Sequence, residues 1–315
     1  MSGDEGEGWI GHDGLLWLDC LPWMNYLAFD IIGDLAFGAP FGMIKAGRDS
    51  ALVPNDPLAV MASYSQAGAK YVTKEVPAMK ILNREGGQDS DTLVGMAIVV
   101  VSKRLSKPSD RNDLLSKLQA GKDEQGNPMG WEELTVEALT LLIVGSDTTT
   151  NSSSAIIYFL AHTPRLQEKL HKELDKNLDW YSYGRAMLGL PRVVPEGGMM
   201  VLGKYFPPGT VVSVPSYTIH RDPMVWGDDV EEYRPERWFE CDSAAILKMF
   251  NPFSVGPQAC VGCNLVTLEL HIIIASILKC FHFVLEKPDK PLQVKEGFLR
   301  KPLGCCVGLR RRETF

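Results

Sequence analysis

Phe253-Ser254-Val255-Gly256-Pro257-Gln258-Ala259-Cys260-Val261-Gly262 decides how this chain is read, because it leads straight into an apolar helix expected over 264–279. Two glycines flank one cysteine at the start of that helix. Glycine permits backbone angles and close approaches that a side chain forbids. The unpaired N–H groups and the dipole of a helix N-terminus favour a thiolate there, and a thiolate is a metal ligand. Two other readings of the cysteine stay open. Cys260-x-x-Cys263 has the spacing of a redox or zinc motif. A zinc knuckle needs a second close pair, and the adjacent Cys305-Cys306 does not supply it. A thioredoxin-like motif needs a βαβ setting that the surroundings lack. A buried, inert cysteine is the remaining alternative.

A second anomaly lies upstream. Val144-Gly145-Ser146-Asp147-Thr148-Thr149 falls midway along the longest helical signal, 131–160. From Ser146 to Ser154 every residue is Ser, Asp, Thr or Asn, which are poor helix formers. The Thr148 hydroxyl is expected to bond back to the Val144 carbonyl and open the helix locally. Beside Gly145, such an opening makes room for a small ligand and sets the Asp147 acid next to a hydroxyl. The alternative is a kinked helix whose polar run meets solvent or a partner helix.

The 315 residues are 45% apolar and 23% charged, enough for one large core or two modest ones. A net charge of −7 argues against a nucleic-acid partner. The one dense basic cluster, Arg310-Arg311-Arg312, reads as a solvated tail. Seven cysteines make no secreted disulfide framework, so reduced thiols facing the cytosol are expected. The acidic, glycine-rich start is unlike a signal peptide, and the apolar run over 93–101 is far short of the roughly 20 residues that span a bilayer. A membrane anchor is therefore expected to be absent from this chain.

Apolar residues recur at helical spacing over 21–38, and Gly38-Ala39-Pro40 ends that helix. Short helices are expected within 45–90, a longer one over 91–105, and a polar linker over 121–130. Thr163-Pro164 supplies an N-cap and a first-turn proline for a helix reaching about residue 177. Short β-rich runs over 199–202 and 210–214, joined by Pro207-Pro208-Gly209, precede an irregular stretch over 221–251. The expected fold class is mainly α with a minor β-sheet.

The cysteine loop resembles the heme-binding signature of the cytochrome P-450 superfamily, with Phe253, Gly256, Cys260 and Gly262 on its fixed positions. Gln258 stands where the family carries a basic residue that pairs with a heme propionate, and glutamine brings no charge. The run through Gly145, Asp147 and Thr148 is similar to the family's oxygen-binding helix. Tyr233-Arg234-Pro235-Glu236-Arg237-Trp238 resembles its meander, and Arg192 matches an arginine that commonly contacts a propionate. A surface role for Arg192 stays open. Tyr26 to Gly42, Ser213 to Pro223 and Glu296 to Leu303 are most similar to fungal benzoate 4-monooxygenases.

The resemblance implies a partial cytochrome P-450 fold: long central helix, meander, heme-cysteine loop and C-terminal helix. Residues 1–312 are then one incomplete heme-thiolate monooxygenase domain, with 1–105 a remnant of the N-terminal helical half, 131–312 the heme-loop half and 313–315 a tail. It also implies heme b ligated by Cys260, the ligation that favours O–O cleavage. Gly145 would let heme and dioxygen approach, and Asp147 and Thr148 would deliver protons. A small aromatic acid of the benzoate type would be hydroxylated para to its carboxylate. Electrons would come from NADPH through a flavoprotein cytochrome reductase, at the cytosolic face of the endoplasmic reticulum. Two departures count against turnover. Nothing upstream of residue 21 answers to the family's larger sheet and first helices, and no Glu-x-x-Arg occurs between 178 and 190. Arg237 is thereby expected to lose its carboxylate partner. The competing expectation is a non-catalytic remnant that binds heme weakly or not at all.

Overall fold

The computed structural model describes residues 10–47, 87–106, 110–122, 125–175, 192–240, 243–256, 259–295 and 301–313. Gln258, the interval expected to carry Glu-x-x-Arg and most of 45–90 lie outside them. The chain opens with strands β1 (Ile10–His12) and β2 (Leu15–Asp19), then helices α1 (Cys20–Phe37), α2 (Met43–Ala46), α3 (Gly87–Leu105) and α4 (Leu114–Ala120). The long α5 (Trp131–His162) and α6 (Pro164–Leu174) follow, then short strands β3 (Arg192–Val193), β4 (Met199–Val201), β5 (Lys204–Phe206) and β6 (Val211–Val212). Four short helices come next: α7 (Ser216–Ile219), α8 (Pro223–Trp226), α9 (Arg237–Glu240) and α10 (Ser243–Met249). Helix α11 (Cys263–Cys280) and strands β7 (Phe281–Leu285), β8 (Val294–Lys295), β9 (Lys301–Pro302) and β10 (Cys306–Arg311) complete it. Mainly helical with small antiparallel sheets is the architecture that results.

The caps explain where the first long helix starts and stops. The Asp19 carboxylate accepts from the Leu21 N–H at 3.0 Å, and Gly38, at φ 80°, sends its N–H back to the Asp34 carbonyl. Helix α5 then organises the molecule by passing through two cores. Its front half buries Leu134, Ala138, Leu139 and Leu142 against α1 and α3. Its back half buries Ile156, Ile157 and Leu160 against α11 and strands β7 and β10. Truncating one such leucine to alanine typically costs about 2–5 kcal/mol.

A four-stranded antiparallel sheet in the order β1-β2-β10-β7 joins the two ends of the chain. Residues 10–19 thus supply two strands that the sequence reading left unassigned. Asp13 and Gly14, at φ 55° and 70°, make the two-residue turn that folds β1 onto β2. The basic cluster is corrected. Arg310 and Arg311 end β10, while Arg312 pairs with Asp175 at 2.8 Å and donates to the last carbonyls of α11. Cations belong at a helix C-terminus, so Arg312 closes a helix while Arg310 and Arg311 stay exposed on the strand. A second correction concerns the turns. β4 pairs with β5 through Leu202-Gly203, and Pro207-Pro208-Gly209 instead leads to β6, the partner of β3.

By length and composition alone, α11 is long and apolar enough to cross a membrane, with a mean hydropathy of 1.6 over 18 residues. One of its faces, carrying Leu270, Ile273, Ile274 and Leu278, packs into the second core.

Candidate active site around Cys260 and the polar turn of α5

The cysteine loop is built as a tight hairpin. The Cys260 N–H donates to the Phe253 carbonyl at 2.8 Å, and the Ala259 N–H to the Gly256 carbonyl at 3.0 Å. Gly256 sits at φ 81°, a conformation few other residues reach easily. Gly262 caps α11, and a Cβ there would lie 3.8 Å from the Cys260 sulfur. Cys260 is thus held at the mouth of a helix N-terminus as an exposed free thiol. Phe253 is half-buried. Val255 at 70% and Val261, fully exposed, leave apolar surface open around the thiol.

The loop is anchored from behind by a residue the sequence did not single out. His220 Nε2 accepts the Asn251 N–H at 3.0 Å, and its ring stacks on Phe250 and meets Trp226 edge-on. Burial holds the His220 imidazole below its ordinary pKa, which keeps the accepting nitrogen unprotonated.

The polar run of α5 is helical throughout and largely buried. Thr148 Oγ1 donates to the Val144 carbonyl at 2.6 Å, and Ser146 and Ser153 bond back to Leu142 and Thr149. These back-bonds give the Ser146 and Ser153 hydroxyls the partners that burial demands, while Thr150 Oγ1 and Ser154 Oγ are buried without one. Thr149, Thr150 and Ser154 face the interior, so the run does not simply meet solvent. Gly145 answers a packing need: a Cβ there would come within 2.9 Å of Ile32 on α1. The open apolar neighbour on that stretch is Val144, 49% exposed.

One bond ties the polar run to α11. Thr149 Oγ1 donates to Glu269 Oε2 at 3.1 Å, tying the polar run to the helix that begins at the cysteine loop. Burial pushes the Glu269 carboxyl above its ordinary pKa, with the Thr149 bond pulling the other way. Asp147 is bound from elsewhere: Lys301 Nζ on β9 lies 2.6 Å from its Oδ2. Arg192 lies half-buried on β3, whose partner is β6, and is not in the cysteine hairpin. Among the described residues no group of three or more His, Cys, Asp or Glu side chains gathers as a metal cage, and Cys263 begins α11 as a free thiol.

The meander contradicts the expectation for Arg237. Its guanidinium is buried, yet it donates to Asp229 Oδ1 at 3.0 Å and to the carbonyls of Trp226, Asp229 and Glu232. Asp229 is shared with Arg234, whose bond is the largest of the effects that hold its carboxyl below the ordinary range. Glu236 turns outward to Arg165 on α6 at 2.7 Å.

A helical fold with a cysteine hairpin feeding the last long helix, crossed by a polar-cored helix, is the arrangement the sequence motifs anticipated. The Cytochrome P450 family model matches residues 12–180 and 183–307. The chain belongs to the cytochrome P450 family. It is similar to the benzoate 4-monooxygenase bphA of Aspergillus niger, with 42% identity covering 95% of this chain and 67% of the relative. It also resembles the cytochrome P450 monooxygenases ORF11 of Penicillium roqueforti and traB of Penicillium crustosum. Each of these is 29% identical, and the match covers 83% and 90% of this chain and 59% of each relative. The chain thus spans about two thirds of the length of the benzoate 4-monooxygenase it matches.

Family membership implies heme iron as the cofactor. The residues present fit that group in two respects. Cys260 offers a single exposed thiol at a helix N-terminus, the donor a heme-thiolate centre uses. Val255 and Val261, on the same loop as Cys260, are exposed apolar groups of the kind that a flat, apolar ring covers.

Proposed function

We propose that this chain is the heme-binding part of a monooxygenase that hydroxylates a small aromatic acid of the benzoate type at the para position. The observation that carries the reading is the exposed Cys260 thiol, on a residue whose backbone N–H donates to the Phe253 carbonyl just before α11, in a chain 42% identical to a benzoate 4-monooxygenase. Heme iron held through the Cys260 sulfur would activate dioxygen, one oxygen atom going into the aromatic C–H bond and the other leaving as water with two electrons from the reductase and two protons. The residues of the chain do the rest. Cys260 donates its thiolate, and the hairpin between Phe253 and Gly262 fixes where that sulfur points. Thr148 and Asp147 are the proposed proton relay of α5, with the Thr148 hydroxyl resting on the Val144 carbonyl and the Asp147 carboxylate on Lys301. Arg192 and Gln258 are the proposed propionate partners, one by charge and one by hydrogen bond. Electrons come from NADPH through a cytochrome reductase flavoprotein, at the cytosolic face of the endoplasmic reticulum membrane.

The test is a carbon-monoxide difference spectrum of the reduced, heme-supplied protein, followed by a product assay with benzoate and reductase. The red-shifted thiolate band together with 4-hydroxybenzoate is the expected result. Absence of the band removes Cys260 as ligand; the band without product removes benzoate as substrate. A second reading, a remnant without turnover, draws on Arg237. Its charge is satisfied inside the meander, so this part of the fold does not depend on an outside carboxylate. Band and product both absent is the outcome that selects it.

A further inference from the structure

We propose that Lys301 is a positioning residue for Asp147, and that their ion pair pins the β8–β9 hairpin across the polar turn of α5. The inference rests on the proposed proton-handling role of Asp147. Lys301 Nζ lies 2.6 Å from Asp147 Oδ2 across 154 residues of sequence. The neighbouring Thr148 hydroxyl is already committed to the Val144 carbonyl, so it does not orient the Asp147 carboxylate.

The attachment of the segment around Lys301 makes the contact directional. Lys301 sits opposite Lys295 in the hairpin register, Pro302 is buried, and the Leu303 N–H donates to the Gln293 carbonyl at 2.9 Å. Further on, the Cys305 thiol lies 3.7 Å from the Ser154 carbonyl. The segment from Lys301 to Cys305 therefore tracks α5 from Asp147 to Ser154. Four extended residues reach about 13 Å, and seven helical residues rise about 10 Å, so the two lengths match. The Cys305 end is buried, while at the Asp147 end the side chains are 47% and 26% exposed. An ion pair that open adds little to stability. What it contributes is placement: it holds the carboxylate toward the hairpin and the hairpin against the helix.

The test uses the full chain in four variants: Lys301→Met, Lys301→Arg, Asp147→Asn and the double Lys301→Met/Asp147→Asn. Hydrogen exchange of the Leu303 amide is the first readout and needs no turnover. We expect it to quicken about threefold in each neutralised single variant, no further in the double, and within about 1.5-fold of wild type in Lys301→Arg. In the heme-supplied protein with reductase and benzoate, Lys301→Met is expected to lower kcat about tenfold. KM then changes less than about threefold and more peroxide forms per NADPH, while Lys301→Arg recovers most of kcat. Equal behaviour of the methionine and arginine variants, or additive exchange effects in the double, overturns the proposal. A wild-type chain that makes no product defeats the benzoate reading alone, because the exchange readout still decides the pairing.

Discussion

The meander and the cysteine hairpin lie next to each other in sequence and treat their polar groups in opposite ways. Between Trp226 and Glu240, Arg237 and Arg234 share Asp229, backbone carbonyls take further Arg237 donors, and Glu240 takes one from Arg234. The two guanidinium charges are thus met inside that region. Between Asn251 and Gly262, backbone bonds shape the chain while the thiol and two valines are left open. The contrast separates a part that stabilises from a part that binds: the first satisfies itself, and the second keeps its reactive group unspent.

The comparison breaks most visibly at Arg237. Replacing it with alanine takes a donor from the Trp226, Asp229 and Glu232 carbonyls and leaves Asp229 to Arg234 alone, so Arg237→Ala should lose about 3 kcal/mol of stability in urea unfolding. His220, the link between the two regions, comes next. His220→Ala leaves the Asn251 N–H without its acceptor and removes a stacked ring, and should cost about 1–3 kcal/mol. Protonation of His220 should weaken the same link. Its folded pKa lies below the unfolded value, so this contribution is present above about pH 6.5 and is lost as pH falls toward the folded value.

Smaller effects sharpen the contrast. Glu269 has a folded pKa above its ordinary 4.5, so its contribution is present below that pH and is lost as pH rises through the folded value. Glu269→Gln, which cannot ionise, should therefore melt about 1–2 °C above wild type at pH 7, with the gap closing below pH 4.5 in thermal scans. Cys260→Ser should change unfolding stability by no more than about 0.5 kcal/mol while removing the thiolate band altogether. A large stability loss from that substitution would show the hairpin to be structural after all.

Much of this was legible because it is local. Gly38 and the Thr163-Pro164 pair mark helix ends through their own backbone preferences, and the polar run of α5 announced itself by breaking helix composition. Asp13-Gly14 was equally local, a two-residue hairpin signal, and reading it would have placed β1 and β2. The groups that complete the site were not local. Lys301 reaches Asp147 from 154 residues away and Glu269 reaches Thr149 from 120, and no periodicity in either segment points at the other. Arg237 misled for a related reason: the expectation assumed a distant carboxylate, whereas Asp229, eight residues before it, does the work.

The sheet that ties β2 to β10 sets a schedule for making the protein. Asp19 pairs with Cys306, so β2 leaves the ribosome about 290 residues before its neighbour exists. At about 5–20 residues per second, that strand waits roughly 15–60 s with one edge unpaired. During that interval α1 and α5 can already pack, but the second core lacks the strands that close it. Loss of the last dozen residues would make the wait permanent, leaving an open strand edge as a template for association with other chains.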